Sequence, residues 1–168
     1  MHLYNLSINQ VHQVVVDDPD QSIGANETFA YDIDDPELIL REYLKLTERA
    51  STRLRARDQY AKTISITVRF ADFKTITRSK TLPLPISSTH EIYQVVKELY
   101  LALKLDRARL RLVGVSLSNL RDDAPEQLML GQREKGWREA ESAVDQASAR
   151  FGEKSVRPAR LYKRKREE

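Results

Sequence analysis

The stretch KTISITVRFADFKTITRSK, residues 62–80, decides the fold. Ile64, Ile66, Val68 and Phe70 alternate with Thr63, Ser65, Thr67 and Arg69, the period-two pattern of a strand with one face on a core and the other in water. Ala71-Asp72 is a tight connection, and a further strand runs from Phe73 to Leu82. It is expected to stop at Pro83 and Pro85, because proline cannot donate to a ladder. The stretch is therefore a hairpin, and its outward face carries Thr63, Ser65, Thr67 and Arg69, continued by Thr75, Thr77 and Ser79.

The flanking segments supply what covers the other face. Toward the N-terminus, Asp35-Pro36-Glu37 offers an N-cap, a proline suited to the first helical position and an acid near the positive end of the helix dipole. Ile39, Tyr43, Leu46, Ala50 and Leu54 then recur every three or four residues as one apolar stripe. Before that helix, Phe29, Tyr31 and Ile33 alternate with polar neighbours as a strand from Glu27 onward, with those three facing inward. Toward the C-terminus, Ser88 with Glu91 makes a capping box opening a helix that carries Ile92, Val95, Val96, Leu99 and Leu103. Leu110 to Leu117 is the last strand. The order β-α-β-β-α-β implies an α+β fold: a split four-stranded sheet, two helices on one face and the opposite face open. The open face is where function is expected.

Three regions follow. Residues 1–21 end in Asp17-Asp18-Pro19-Asp20-Gln21, a linker or the remnant of an upstream domain; residues 22–121 are the sheet domain. Residues 122–168 hold Gln127-Leu128-Met129-Leu130-Gly131, a helix through Trp137, Ala140, Val144 and Ala147 to Phe151-Gly152, and the basic tail Lys163-Arg164-Lys165-Arg166. Net charge is only +3, yet residues 1–37 contain eight Asp or Glu and no Lys or Arg, so the remainder nets +11. Such a balance favours a polyanionic partner, because cations that neutralise phosphates release condensed counterions.

Several chemistries are excluded. The chain has no cysteine, and His2, His12 and His90 are scattered without metal-ligand spacing. Asp17-Asp18, Asp34-Asp35 and Asp122-Asp123 sit in linkers, caps or loops without a strand-borne partner acid, and five glycines build no phosphate-cradling loop. No catalytic site or cofactor is expected in this chain. No run approaches the roughly 18 apolar residues of a membrane span, so a soluble, cytoplasmic protein without membrane contact is expected; the sequence does not fix its oligomeric state, and a monomer is the default expectation.

What the hairpin does offer is a row of short hydroxyls with Arg78, Lys80, Arg109 and Arg111 nearby. Hydroxyls and backbone amides bond phosphate oxygens at close range without reading bases. Threonine-rich faces also arise from β-propensity alone, and the residues leave both readings open. No aromatic residue interleaves, which favours a duplex held by its backbone over a single strand stacked on rings.

Three blocks then carry a family likeness: Ser22-Ile23-Gly24 with Glu27-Thr28-Phe29; Val68-Arg69-Phe70-Ala71-Asp72-Phe73-Lys74-Thr75-Ile76-Thr77-Arg78-Ser79; and Arg111-Leu112-Val113-Gly114-Val115-Ser116-Leu117-Ser118. Over residues 21–120 the chain resembles the little-finger domain of Y-family lesion-bypass DNA polymerases, the bacterial DNA polymerase IV group above all. The resemblance implies a sheet lying against the primer-template duplex, with Thr77, Arg78, Ser79, Lys80, Arg109, Arg111 and Ser116 as backbone contacts. Strict alternation would put Arg109, Arg111, Val113 and Val115 on one face, so a bulge is needed to bury those valines. The family's opening block has a lysine, a histidine and a glutamate where this chain has Gln21, Ala25 and Asn26. Gln127-Leu128-Met129-Leu130 is similar to the peptide with which bacterial polymerases dock on the sliding clamp, with Gly131 in place of the aromatic. Mg²⁺ would belong only to the catalytic core, which has no counterpart here. The alternatives are a stand-alone clamp-binding adaptor that touches DNA little, and a double-stranded RNA binder.

Overall fold

The computed structural model describes residues 22–105, 108–122, 137–152 and 156. Its elements are β1 (Ser22–Ile33), α1 (Pro36–Ala56), β2 (Tyr60–Phe70), β3 (Thr75–Ile86), α2 (Thr89–Ala102), β4 (Leu110–Arg121) and α3 (Trp137–Phe151). The strands form one antiparallel sheet in the order β1-β4-β2-β3. This is the expected α+β arrangement. The upstream residues 1–21, the Gln127-Leu128-Met129-Leu130 segment and the basic tail lie outside the described residues.

α1 forms as its sequence dictates. Asp35 Oδ1 accepts the Glu37 N–H at 2.9 Å, with Pro36 at the first helical position. The whole stripe Ile39, Tyr43, Leu46, Ala50 and Leu54 is buried against Ile64, Ile66 and Val68 of β2 and Val113, Val115 and Leu117 of β4. One phenol ties helix to sheet and another ties helix to helix: the Tyr43 hydroxyl donates to the Thr67 carbonyl of β2 at 3.2 Å, and that of Tyr93 on α2 to the Leu40 carbonyl of α1 at 3.3 Å. Burial, and then the neighbouring Tyr100 hydroxyl, push the Tyr43 phenol above its ordinary range. Burial, and then the Asp35 carboxylate, raise that of Tyr100. Both remain neutral across physiological pH.

Four details depart from the sequence expectation. β1 starts at Ser22 rather than Glu27, and Tyr31 does not face the core but is 79 % exposed. Beyond Thr28 the register with β4 breaks before resuming at Ile33, so this end of the edge strand leaves the alternation. β3 starts at Thr75 rather than Phe73, and does not stop at Pro83 but runs through Pro85 to Ile86. As the sheet's outer strand it has one side without ladder bonds, and the prolines fall in the irregular step between Thr81 and Ile86.

The third departure is the start of α2. Ser88 is the N-cap but makes no side-chain capping bond. The acid that serves this terminus is Glu141 of α3, not Glu91: its carboxylate accepts the Thr89 N–H at 2.9 Å, the His90 N–H at 3.1 Å and the Ser88 hydroxyl at 3.2 Å. A second shared acid, Asp145, takes the Arg55 guanidinium, so α3 is latched to the ends of α1 and α2 by charge. The fourth is the extent of β4, which continues past Leu117 to Arg121.

The helix ends carry a testable strain. α1 closes in a Schellman motif, with Gln59 N–H on the Leu54 carbonyl at 3.0 Å and Asp58 N–H on the Arg55 carbonyl at 2.9 Å, Asp58 standing at φ +53°. α2 ends similarly on Lys104 at φ +48°. A left-handed non-glycine residue costs about 1–2 kcal/mol, of which glycine's extra chain entropy returns about 0.5–1. Lys104→Gly is therefore expected to stabilise the domain by about 0.5–1 kcal/mol, read as a higher midpoint in chemical denaturation; a lower midpoint contradicts it.

Candidate nucleic-acid interface

The helix layer covers one side of the sheet. Following the register across the other side gives four cross-strand rows: Ser22, Ser118, Thr63 and Thr81; Gly24, Ser116, Ser65 and Ser79; Asn26, Gly114, Thr67 and Thr77; Thr28, Leu112, Arg69 and Thr75. The rows contain no acid. Eleven of these sixteen positions are Ser or Thr, so hydroxyls tile the surface from edge to edge.

Many of the hydroxyls are pre-aligned by one another. Thr63 and Thr81 share a hydrogen bond at 3.0 Å, Thr67 and Thr77 at 3.5 Å, and the Asn119 amide donates to the Thr63 hydroxyl at 2.7 Å. Arg69 Nε donates to the Thr75 hydroxyl at 3.0 Å. Near the middle, a Cβ on Gly114 would meet Asn26 Cβ at 3.4 Å and Thr67 Cβ at 3.6 Å. Gly114 is itself buried between these two neighbours.

Alternation separates residues that the sequence suggested would act together. Thr77 and Ser79 are on the open face, opposite Thr67 and Ser65, but Arg78 and Lys80 stand opposite Ile66 and Ile64, on the helix side. Lys80 is bound there by Glu98 of α2 at 2.7 Å, and Arg78 donates to its neighbour's carbonyl, that of Thr77. The expected contribution of these two cations to the open face is corrected accordingly.

The bulge required in β4 is present. Arg69 pairs with Leu112 and Phe70 with Leu110, so Arg111 is the extra residue, and the shift sends Val113 and Val115 into the core. Arg111 is exposed, its guanidinium 4.9 Å from the Phe73 ring centre, and Arg109 is exposed beside it. Arg69, the one cation in the rows, and the exposed Arg109 and Arg111 thus lie at the end where β2 turns into β3.

Sequence reasoning assigned Thr63, Ser65, Thr67, Arg69, Thr75, Thr77 and Ser79 to one face, and the register brings them together with Ser116, which only the family resemblance had suggested. It missed Ser22, Asn26, Thr28, Ser118 and Thr81, which extending the alternation across all four strands would have found. Among the described residues no group of His, Asp or Glu could hold a metal ion, and no helix is long and apolar enough to cross a membrane.

The impB/mucB/samB family C-terminal domain matches residues 20–130. This chain belongs to that family. As an impB/mucB/samB C-terminal domain, it is 35 % identical over 103 residues to DNA polymerase IV 2 of Agrobacterium fabrum, covering 61 % of this chain and 29 % of the relative. It is 32 % identical over 100 residues to DNA polymerase IV of Staphylococcus saprophyticus, covering 60 % and 28 %. The chain spans less than a third of the length of these curated relatives. Its fold matches that of part of the Dbh DNA polymerase chain in an insertion ternary complex, with a TM-score of 0.54 at 22 % identity over 61 % of this chain and 29 % of that one. It is also that of the little finger domain of PolIV in complex with the β-clamp processivity factor, with a TM-score of 0.50 at 20 % identity over 66 % and 99 %. The little-finger resemblance read from the three sequence blocks therefore stands.

Proposed function

We propose that this domain is a duplex-DNA-gripping module, the little finger of a lesion-bypass polymerase acting in damage tolerance. The observation that carries this is the open sheet face: an acid-free surface of short hydroxyls with arginines at one end. Such a surface bonds phosphates through hydroxyls and main chain and holds DNA without regard to sequence. The catalytic chemistry belongs to a part of the polymerase that this chain does not contain. Docking on a sliding clamp through Gln127, Leu128, Met129 and Leu130 completes the proposal; it rests on the motif and on the clamp complex of the PolIV little finger.

The test is duplex affinity against salt. Log affinity is expected to fall linearly with log salt, by about 0.9 per phosphate neutralised. Arg69→Ala with Arg111→Ala should weaken binding and make that slope shallower by about one per lost contact. A salt-independent affinity, or one untouched by the double change, sinks the reading.

A further inference from the structure

The turn between β2 and β3 holds a large aromatic ring where nothing in the fold requires one. Phe73 stands at φ +65° and the residue is 64 % exposed. A bulky residue in the left-handed region is a genuine outlier, and such strain persists only where the surroundings enforce it. They do so here. Phe73 N–H is bonded to the Phe70 carbonyl at 3.0 Å, Phe70 N–H to the Lys74 carbonyl at 2.9 Å, and Ala71 N–H to the Arg109 carbonyl at 3.1 Å. The Asp72 carboxylate accepts the Lys74 N–H at 3.0 Å, which uses the one acid of the turn internally. The ring is therefore held out on a rigid frame, beside the guanidinium that the β4 bulge displaces from the alternation.

We propose that Phe73 and Arg111 form a stacking site for an unpaired nucleobase, so that the sheet grips a junction of duplex and single strand. This rests on the duplex reading above and deepens it. An exposed ring accepts any base on its π-face, and a cation beside it holds the adjoining phosphate. Both groups are at the arginine-rich end of the hydroxyl rows, where Arg69 and Leu112 form the last row and Arg109 and Lys74 are exposed. A duplex lying on the rows with its end at this turn would deliver its first unpaired base to the ring.

The experiment compares a blunt DNA duplex with the same duplex carrying a single-stranded thymidine extension, bound to the full chain and measured by fluorescence anisotropy. Stacking of one base predicts at least about a fivefold preference for the extended DNA. Phe73→Ala should abolish the preference while leaving blunt-duplex affinity within about twofold, and Phe73→Tyr, which keeps the π-face, should preserve it. Equal binding of the two DNAs by the unchanged protein overturns the inference. So does a preference that survives Phe73→Ala, or an equal loss for both DNAs, which would assign the ring to the hairpin or to another polypeptide. Failure to bind either DNA overturns the duplex reading itself.

Discussion

Arg55→Ala is expected to free α3 from the domain, with a loss of about 3 kcal/mol in its docking. Arg55 is only 10 % exposed and sits between two acids: Nε and Nη2 donate to Asp145 at 2.7 and 3.1 Å, and Nη1 to Glu141 at 3.0 Å. Nη1 also reaches the Ser87 carbonyl and the Thr89 hydroxyl, at 3.1 and 3.0 Å. Removing one partner of a buried ion pair typically costs about 3–5 kcal/mol, because the other charge is left without compensation. The lower end applies here, since Asp145 keeps 26 % exposure and α3 can release both carboxylates to water by lifting off. A loss of that size raises α3 opening by about two orders of magnitude. Hydrogen exchange should show it in the amides of residues 140–151, and also in Thr89 and His90, which lose the Glu141 carboxylate that caps them. Arg55→Lys should rescue little, because a single ammonium cannot match the fork. Unchanged exchange in α3 would show that packing, not charge, holds the helix.

That latch also shows where the sequence stopped being legible. The alternation of Ile64, Ile66 and Val68 settled β2 because a period of two admits one burial pattern, and the Asp35-Pro36-Glu37 start of α1 was legible because its cap is local. The β4 bulge was legible by parity: Arg111, Val113 and Val115 could not share a face if the valines were to be buried. Glu141 was not legible as the cap of α2, since a carboxylate 52 positions from Thr89 leaves no mark on local spacing and Glu91 offered a closer candidate. Arg78 and Lys80 were within reach, because they alternate with Thr77 and Ser79; their charge suggested a common face, and the register with Ile66 and Ile64 separates them. Phe73 was read as the start of β3, which begins at Thr75 instead. Its exposure and positive φ arise from the turn's hydrogen bonds, which periodicity does not encode.

Because the register, not the total charge, defines the proposed grip, a single acid placed on the open face should harm DNA binding more than a larger charge change behind it. Ser65 lies between Ser116 and Ser79 in the second row, on an inner strand. Ser65→Glu puts a carboxylate there with no acid in the rows to repel it, so the fold should lose no more than about 1 kcal/mol, the span of strand propensities. Against a phosphate backbone the same carboxylate is repelled at close range, and duplex affinity should fall by about tenfold or more, equivalent to about 1.4 kcal/mol. Arg78→Glu changes the charge by twice as much but from the helix side, and should cost less. The gap between the two should narrow in high salt, where the screening length drops from about 10 Å at 0.1 M to about 3 Å at 1 M. If Arg78→Glu proves the more damaging, DNA follows the β3 edge rather than the hydroxyl face, and the assignment of the grip to that face is wrong.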